Sequence, residues 1–268
     1  MKRIELTPIQ HSVKVGQECP AHEPNVTEDC ILCENGEPFG FYMKRMPEKM
    51  CKLADIANKE FNSSRVPKKL MRRASAIMKA YEESGTHASE DTIAQYSTIL
   101  GSVPPKYHMR RPYGQRSVIH NSKTAQTFIK AMLMLANESE TLIKQVLPGQ
   151  HKRQADIFEQ VADKWKFGRL WTGSISNCNI SAPFHRDTGN IVGAVNVNVI
   201  VTKRLNAKGG NLHVPEYGAT IDSADNSVLV YPAWKNIHGV TPIEPTYEGG
   251  YRNSLIFYPI KAFIGLKK

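Results

Sequence analysis

From Leu170 to Ile260 the chain reads as a series of short segments in which apolar and polar residues alternate. Ser174-Ile-Ser-Asn-Cys-Asn-Ile180 is one and Val195-Asn-Val-Asn-Val-Ile-Val201 the clearest; Leu212-His-Val214, Ser227-Val-Leu-Val-Tyr231 and Ser254 to Ile260 follow. Successive side chains leave a strand on opposite faces, so a period of two marks half-buried strands. Gly, Pro and Asn interrupt the series, which keeps the strands short, and short strands at this spacing predict a barrel or jelly roll. Asn196 and Asn198 would face either solvent or a polar interior.

Helical sequence precedes this region. Ala125, Phe128, Ile129, Met132, Leu133, Leu135 and Ala136 form a broad apolar stripe over 122–146, which Leu147-Pro-Gly149 ends. A further helix over 154–165 turns Ile157, Phe158, Val161 and Trp165 inward. Between Met46 and Ser84, Leu53, Ile56, Ala57 and Phe61 recur at helix spacing; Pro67 then restarts the chain at the first turn of a second helix, ended by Gly85. The class is α+β, divided as an N-terminal segment (1–45), a basic helical segment and loop (46–116) and a β core with supporting helices (117–268).

At 268 residues the chain can bury a full core. Its net charge of +10 is uneven: Lys44 to Lys79 alone carries +8. Such a cluster fits either a polyanionic partner or a solvated helix face. Ser102 to Arg116, with three prolines and a glycine, is neither helix nor central strand. Its Arg110 and Arg111, interleaved with tyrosines, suit a loop that touches phosphates while rings stack on bases, or a connector that packs its tyrosines on the core. No apolar run has the length of a membrane span, and the first residues lack the pattern of a signal peptide. Five cysteines cannot all pair within the chain, which favours a reducing compartment, the cytoplasm. Cys19-Pro-Ala-His22 and Cys30-Ile-Leu-Cys33 form two pairs with the spacing of a structural zinc knuckle, with Cys51 and His11 as alternatives to His22. The competing reading is a loop of reduced cysteines.

Two residue types that bind metals stand one apart in Pro183-Phe-His-Arg-Asp187. On an extended chain His185 and Asp187 project to one side, and an imidazole beside a carboxylate is two thirds of the 2-His-1-carboxylate set that holds non-haem Fe(II). His238 closes another apolar run and would return from the opposite side of a small barrel. Arg252, Ser254 and Tyr258 share one face of a strand-like segment. A planar guanidinium there can grip a carboxylate through paired hydrogen bonds, as the co-substrate 2-oxoglutarate would need.

Pro-Phe-His-Arg-Asp with Asn190 after it, His238-Gly-Val-Thr-Pro-Ile243 and Arg252-Asn-Ser-Leu-Ile-Phe-Tyr258 together resemble the catalytic core of Fe(II)/2-oxoglutarate dioxygenases. Within these the chain is most similar to the TET/JBP group, which hydroxylates the 5-methyl group of pyrimidines in nucleic acid. The segment Gly209-Gly-Asn-Leu-His-Val-Pro-Glu-Tyr217 fits the phage and kinetoplastid members, so a phage-encoded protein would work in the host cytoplasm. The resemblance covers roughly the last third of the chain and implies a double-stranded β-helix, Fe(II) held by His185, Asp187 and His238, and 2-oxoglutarate held by Arg252 and Ser254. It implies O₂ as oxidant and DNA as partner, most simply a duplex with the target base turned out of the stack. Asn190 then matches a pyrimidine-contacting Asn and Tyr258 a base-stacking Tyr. Ile260 stands where the animal enzymes place a base-contacting His, and their long cysteine-rich region is missing, which leaves 5-methylcytosine and thymine both open. Two rivals remain: the same oxygenase chemistry on a protein or small molecule, and a non-catalytic nucleic-acid-binding protein.

Overall fold

The structure, a computed structural model, describes residues 1–70, 95–106, 108, 110–191 and 198–266. The chain opens with strands β1 (Lys2–Glu5), β2 (Cys30–Glu34) and β3 (Glu37–Met43), then helix α1 (Glu48–Asn62) and strands β4 (Lys69–Leu70), β5 (Tyr96–Val103) and β6 (Gln115–Arg116). Helices α2 (Gln126–Val146) and α3 (Pro148–Phe158) follow, and the remainder is almost all strand. These are β7 (Gly173–Cys178), β8 (Ala182–His185), β9 (Asn198–Leu205), β10 (Ala207–Gly209), β11 (Leu212–Val214) and β12 (Ala219–Ile221). The last four are β13 (Val228–Tyr231), β14 (His238–Val240), β15 (Ile243–Pro245) and β16 (Tyr251–Tyr258).

Among the described residues a main sheet runs β1-β2-β3-β13-β9-β16-β7-β5-β4, with β6 beside β5, and a smaller sheet runs β12-β11-β14-β8. Strict alternation sorts the main sheet's side chains. Val199, Val201, Val228, Val230, Leu255 and Phe257 turn outward into a core with α1 and α2. Ile200, Thr202, Leu229, Tyr231, Arg252, Ser254, Ile256 and Tyr258 turn inward, toward a cavity also lined by the small sheet's Leu212, Ile221, His238 and Val240. The layers are therefore helices, large sheet, cavity and small sheet: the α+β double-stranded β-helix expected from the strand series and the resemblance.

Helix α1 docks through Met50, Leu53, Ala54, Ala57 and Phe61, an i, i+3, i+4, i+7 stripe, while Ile56 stays exposed. A polar clasp completes the contact. Asn253 of β16 donates to Asn58 Oδ1 and Asn62 Oδ1, each at 2.8 Å, and Asn58 donates to Tyr251 Oη at 2.8 Å. Lys203 of β9, its side chain 8% exposed, meets Asp55 of α1 at 2.7 Å and Asp225 at 3.1 Å.

Several expectations are corrected. Pro67 opens no helix: the chain enters β4 two residues later and pairs with Tyr96 and Ser97, while the rest of the expected helix, with Arg72, Arg73 and Lys79, lies outside the described residues. Leu147 does end α2, but the helix expected over 154–165 starts earlier and stops sooner, at Pro148–Phe158, because Pro148 sits at its first position, where the missing N–H costs nothing; Asp163–Trp165 is a separate 3-10 turn. The alternation at 195–201 is a strand from Asn198 onward, and Val195 to Val197 lie outside the described residues. Asn35 and Gly36, both at positive φ, make the tight turn between β2 and β3. Phe39-Gly-Phe41 runs inside β3, where Gly40 lets the backbone of Val230 approach.

The first 45 residues are thus not a knuckle standing apart. β2 and β3 extend the main sheet by pairing β3 with β13, and the stretch from Lys14 to Val26 crosses the outer face of the small sheet. Gly16 donates to the Phe184 carbonyl and Phe184 to that of Gln17, both at 2.8 Å, covering the β8 edge. At the opposite edge Asn25 and Val26 both donate to the Thr220 carbonyl at 3.0 Å. Between them Cys19 rests on Gly239, and His22 stacks on His213 with ring centres 3.7 Å apart and planes 7° from parallel.

Candidate active site

His185 is the last residue of β8 and His238 the first of β14, and the two are direct cross-strand partners in the small sheet. Asp187 follows two residues after His185, its N–H donating to the Ala233 carbonyl at 3.1 Å. Pairing and loop together bring one ligand atom from each of the three to within 4.8 Å of one another; among the described residues no other group of His, Cys, Asp and Glu does so. His185 Nδ1 lies 2.7 Å from the Pro183 carbonyl and His238 Nδ1 3.1 Å from that of Asn236. A carbonyl only accepts, so each Nδ1 carries the proton and Nε2 is left as the metal-binding nitrogen. His185 Nε2 is 3.6 Å from Asp187 Oδ1. Burial first, and His185 nearby second, push the His238 pKa down, with Asp187 pulling the other way. The neutral imidazole is the form that binds a metal.

This set lies in a cavity of about 470 Å³, a volume suited to a small molecule or a single base. Arg252, 5% exposed, lines the cavity from β16, and its Nε is buried with no hydrogen-bond partner. Burial first, and Arg204 on the paired strand second, lower its pKa to about 10, so it stays charged at neutral pH. A buried guanidinium with an orphaned donor in a cavity fits an anionic ligand such as the far carboxylate of a dicarboxylic acid. Gly210 makes room for it: a Cβ there would stand 3.0 Å from Arg252 Cδ, and the backbone has φ +72°. Ser254, two residues on, lines the same wall. Metal donors and carboxylate grip therefore face one space, and the residues present fit Fe(II) with 2-oxoglutarate.

Asn190 and Tyr258 also line the cavity. Asn190 Nδ2 donates to Asp187 Oδ2 at 3.3 Å. Tyr258 is largely buried, its hydroxyl 3.5 Å from the Ser174 carbonyl, and burial with the Asp187 charge raises its pKa. Ile260 stands in the wall beside them and bridges to Asn190. Arg110 and Arg111 do not enter the cavity. Lys106 and Arg111 exchange backbone hydrogen bonds in a small hairpin, with Arg110 exposed at φ +54° near its tip; Tyr107 and Met109 lie outside the described residues. Arg111 Nε donates to the carbonyl of Pro104, and Pro104 lines the cavity, so the hairpin sits against the cavity wall.

The zinc set is not assembled. Cys30 and Cys33 lie in β2, where residues three apart point to opposite faces, Cys30 entering the core beside Leu32. Cys19 is packed on Gly239 and His22 on His213. Of the alternatives, Cys51 is buried in α1, its thiol donating to the Met46 carbonyl, and His11 joins no cluster among the described residues. Burial pushes the Cys19 and Cys30 thiols up to about 11. Sequence reasoning also passed over two supporting residues. Asn179, at φ +54°, accepts the Arg252 N–H at 2.9 Å, and buried Tyr231 donates to Asn236 Oδ1 at 3.1 Å. Asn179 carries a signal after all, since Asn tolerates left-handed backbone.

Residues 107–261 match the family model Tet_JBP, the oxygenase domain of the 2OGFeDO superfamily. Among solved structures, NgTET1 in complex with 5mC DNA aligns with a TM-score of 0.59 at 12% identity, over 94% of this chain and 84% of that one, a likeness of fold. An oxidoreductase of the 2OG-Fe(II) oxygenase family from Burkholderia pseudomallei aligns with a TM-score of 0.43 at 15% identity, over 86% of this chain and 89% of that one. OsALKBH1 aligns with a TM-score of 0.42 at 12% identity, over 83% and 97%. No curated protein sequence matches the chain.

Proposed function

Because the chain belongs to the Tet_JBP family of oxygenase domains in the 2OGFeDO superfamily, and is therefore a 2-oxoglutarate- and iron-dependent dioxygenase, we propose that it hydroxylates the 5-methyl group of a pyrimidine in duplex DNA. The observation that carries this reading is the cavity itself, where the three metal donors, Arg252, Asn190 and Tyr258 line one space. The fold shared with NgTET1, solved in complex with 5mC DNA, supports a DNA substrate. The exposed Arg110 beside the cavity wall and the net charge of +10 support a phosphate-bearing partner.

In this reading His185, Asp187 and His238 hold Fe(II), and Arg252 with Ser254 holds the far carboxylate of 2-oxoglutarate. Bound together, iron and keto acid supply oxidation of a C–H bond by O₂, coupled to decarboxylation to succinate. The protein supplies position and dryness. Ile175, Ile200, Leu212 and Leu229 wall the cavity and keep water from the reacting centre. The Nδ1 bonds to Pro183 and Asn236 hold both imidazoles in the metal-binding tautomer. A base turned into the cavity meets Tyr258, whose ring offers a stacking face, and Asn190, whose amide can read a pyrimidine edge. Arg110 and Arg111 approach phosphates outside. Ile260 offers no hydrogen bond to the base, so discrimination between 5-methylcytosine and thymine falls to the remaining polar wall.

The test is nucleoside mass spectrometry of methylated duplex DNA incubated with Fe(II), 2-oxoglutarate and enzyme. A hydroxymethyl pyrimidine is expected, with succinate release stimulated by the DNA, and Asp187→Ala should abolish both. Succinate formed at the same rate with and without DNA, and no oxidised nucleoside, would discard the DNA substrate while keeping the oxygenase.

A further inference from the structure

Pro215-Glu-Tyr217 forms a single turn of 3-10 helix after β11, and the site described above uses none of it. Glu216 nevertheless reaches both ligand-bearing loops. Its Oε1 accepts the N–H of Ile237, the residue before His238, at 2.8 Å. The same oxygen accepts from Arg186, the residue between His185 and Asp187, at 3.2 Å. The Glu216 side chain is 15% exposed and that of Arg186 45%. The backbone of Glu216 is fixed in turn, its carbonyl accepting the Ile9 N–H at 2.7 Å, and Tyr217 next to it donates to Glu34 Oε1 at 2.6 Å.

We propose that Glu216 is a positioning residue for the metal set: one carboxylate oxygen ties the His185–Asp187 loop to the loop that presents His238. The inference rests on those three residues being the metal ligands. Beside it, the two loops are joined by the bond from the Asp187 N–H to the Ala233 carbonyl and by the short pairing of β8 with β14. A metal needs all its ligands at fixed distances simultaneously, so slack between the loops is felt as weaker binding. The two contacts of Glu216 differ in kind. Ile237 donates to a charged acceptor in a shielded place, whereas the Arg186 pair is half exposed and screened. The backbone bond therefore carries most of the effect.

Anaerobic titration of the metal-free full chain with Co(II), followed by calorimetry and by visible absorption, tests this. Asp187→Ala should lose Co(II) binding, which checks the metal set independently. Glu216→Ala should bind Co(II) about 10–100-fold more weakly than wild type, the range found when residues supporting a ligand are removed, with a changed visible spectrum. Glu216→Gln keeps an acceptor for Ile237 and gives up the ion pair, so its affinity should fall between the two and its spectrum return toward wild type. Wild-type affinity and spectrum in a folded Glu216→Ala would overturn the proposal. Should that variant fail to fold, wild-type affinity and spectrum in Glu216→Gln, which replaces the charged acceptor of the Ile237 N–H by a neutral one, would do so. Undiminished Co(II) binding by Asp187→Ala would instead remove the metal set on which the inference stands.

Discussion

His213 illustrates how far a single side chain can tie stability to pH in this fold. It is 7% exposed, its Nδ1 is 2.8 Å from Thr220 Oγ1, and the His22 ring lies flat against it. Burial, and then His22, bring its pKa down to about 4, against about 6.5 in an unfolded chain. As pH falls the unfolded state takes up the proton first, so the contribution of the neutral ring is complete above about 6.5 and is lost toward 4. Urea melts at about pH 7.5 and about pH 5 should differ in the wild type and draw together in His213→Gln; equal pH dependence in both would contradict this. Legibility at this scale followed chemistry. That His185, Asp187, His238 and Arg252 would line one space could be read, because residue types suited to a metal site or a carboxylate grip are few and strand alternation said which would share a face. The cysteine pairs misled because x₂ spacing gathers ligands in a loop and separates them on a strand, and nothing near Cys30 announced β2 as such. Glu216 left no mark either, since its partners Arg186 and Ile237 lie 30 and 21 positions away and no periodicity records them.

Among elements, the small sheet depends on the segment laid across its back. A Cβ on Gly239 would come within 2.7 Å of Cys19 Cβ and 3.0 Å of Phe184 Cδ1. Gly239→Ala should therefore destabilise the protein by about 1–3 kcal/mol, the range for overpacking a filled core. Thermal melts should show part of the loss recovered on adding Cys19→Gly, a coupling that independent sites would not give. The sequence disclosed the strands of this sheet and not what covers them. Alternation reports which residues face inward, whereas the partner of an edge is set by chain that returns from far away. For the same reason nothing in the first 45 residues told that β3 pairs with β13, nearly two hundred residues on. The stripe of α1 was readable, but its docking partners were not: Asn253 and Lys203 belong to strands whose outward face looks unremarkable in sequence.

For the molecule as a whole, positive charge is the property that bears on the proposed partner. Each phosphate neutralised releases counterions, so the logarithm of the affinity for duplex DNA should fall linearly with that of salt concentration, by about 0.9 for every phosphate contacted. Arg110→Ala should reduce that slope by about 1 and weaken binding alike on all sequences. A slope indifferent to Arg110 in fluorescence-anisotropy titrations would remove the hairpin from the interface. The order of the main sheet has a different consequence, for the way the chain reaches this shape. β3 waits for β13, the Lys14–Val26 segment waits for the small sheet, and Arg252 is supplied by the final strand. Such distant pairings slow folding, because loop closure must precede the contacts that reward it. On a ribosome, β3 would emerge well before β13 and settle only with it.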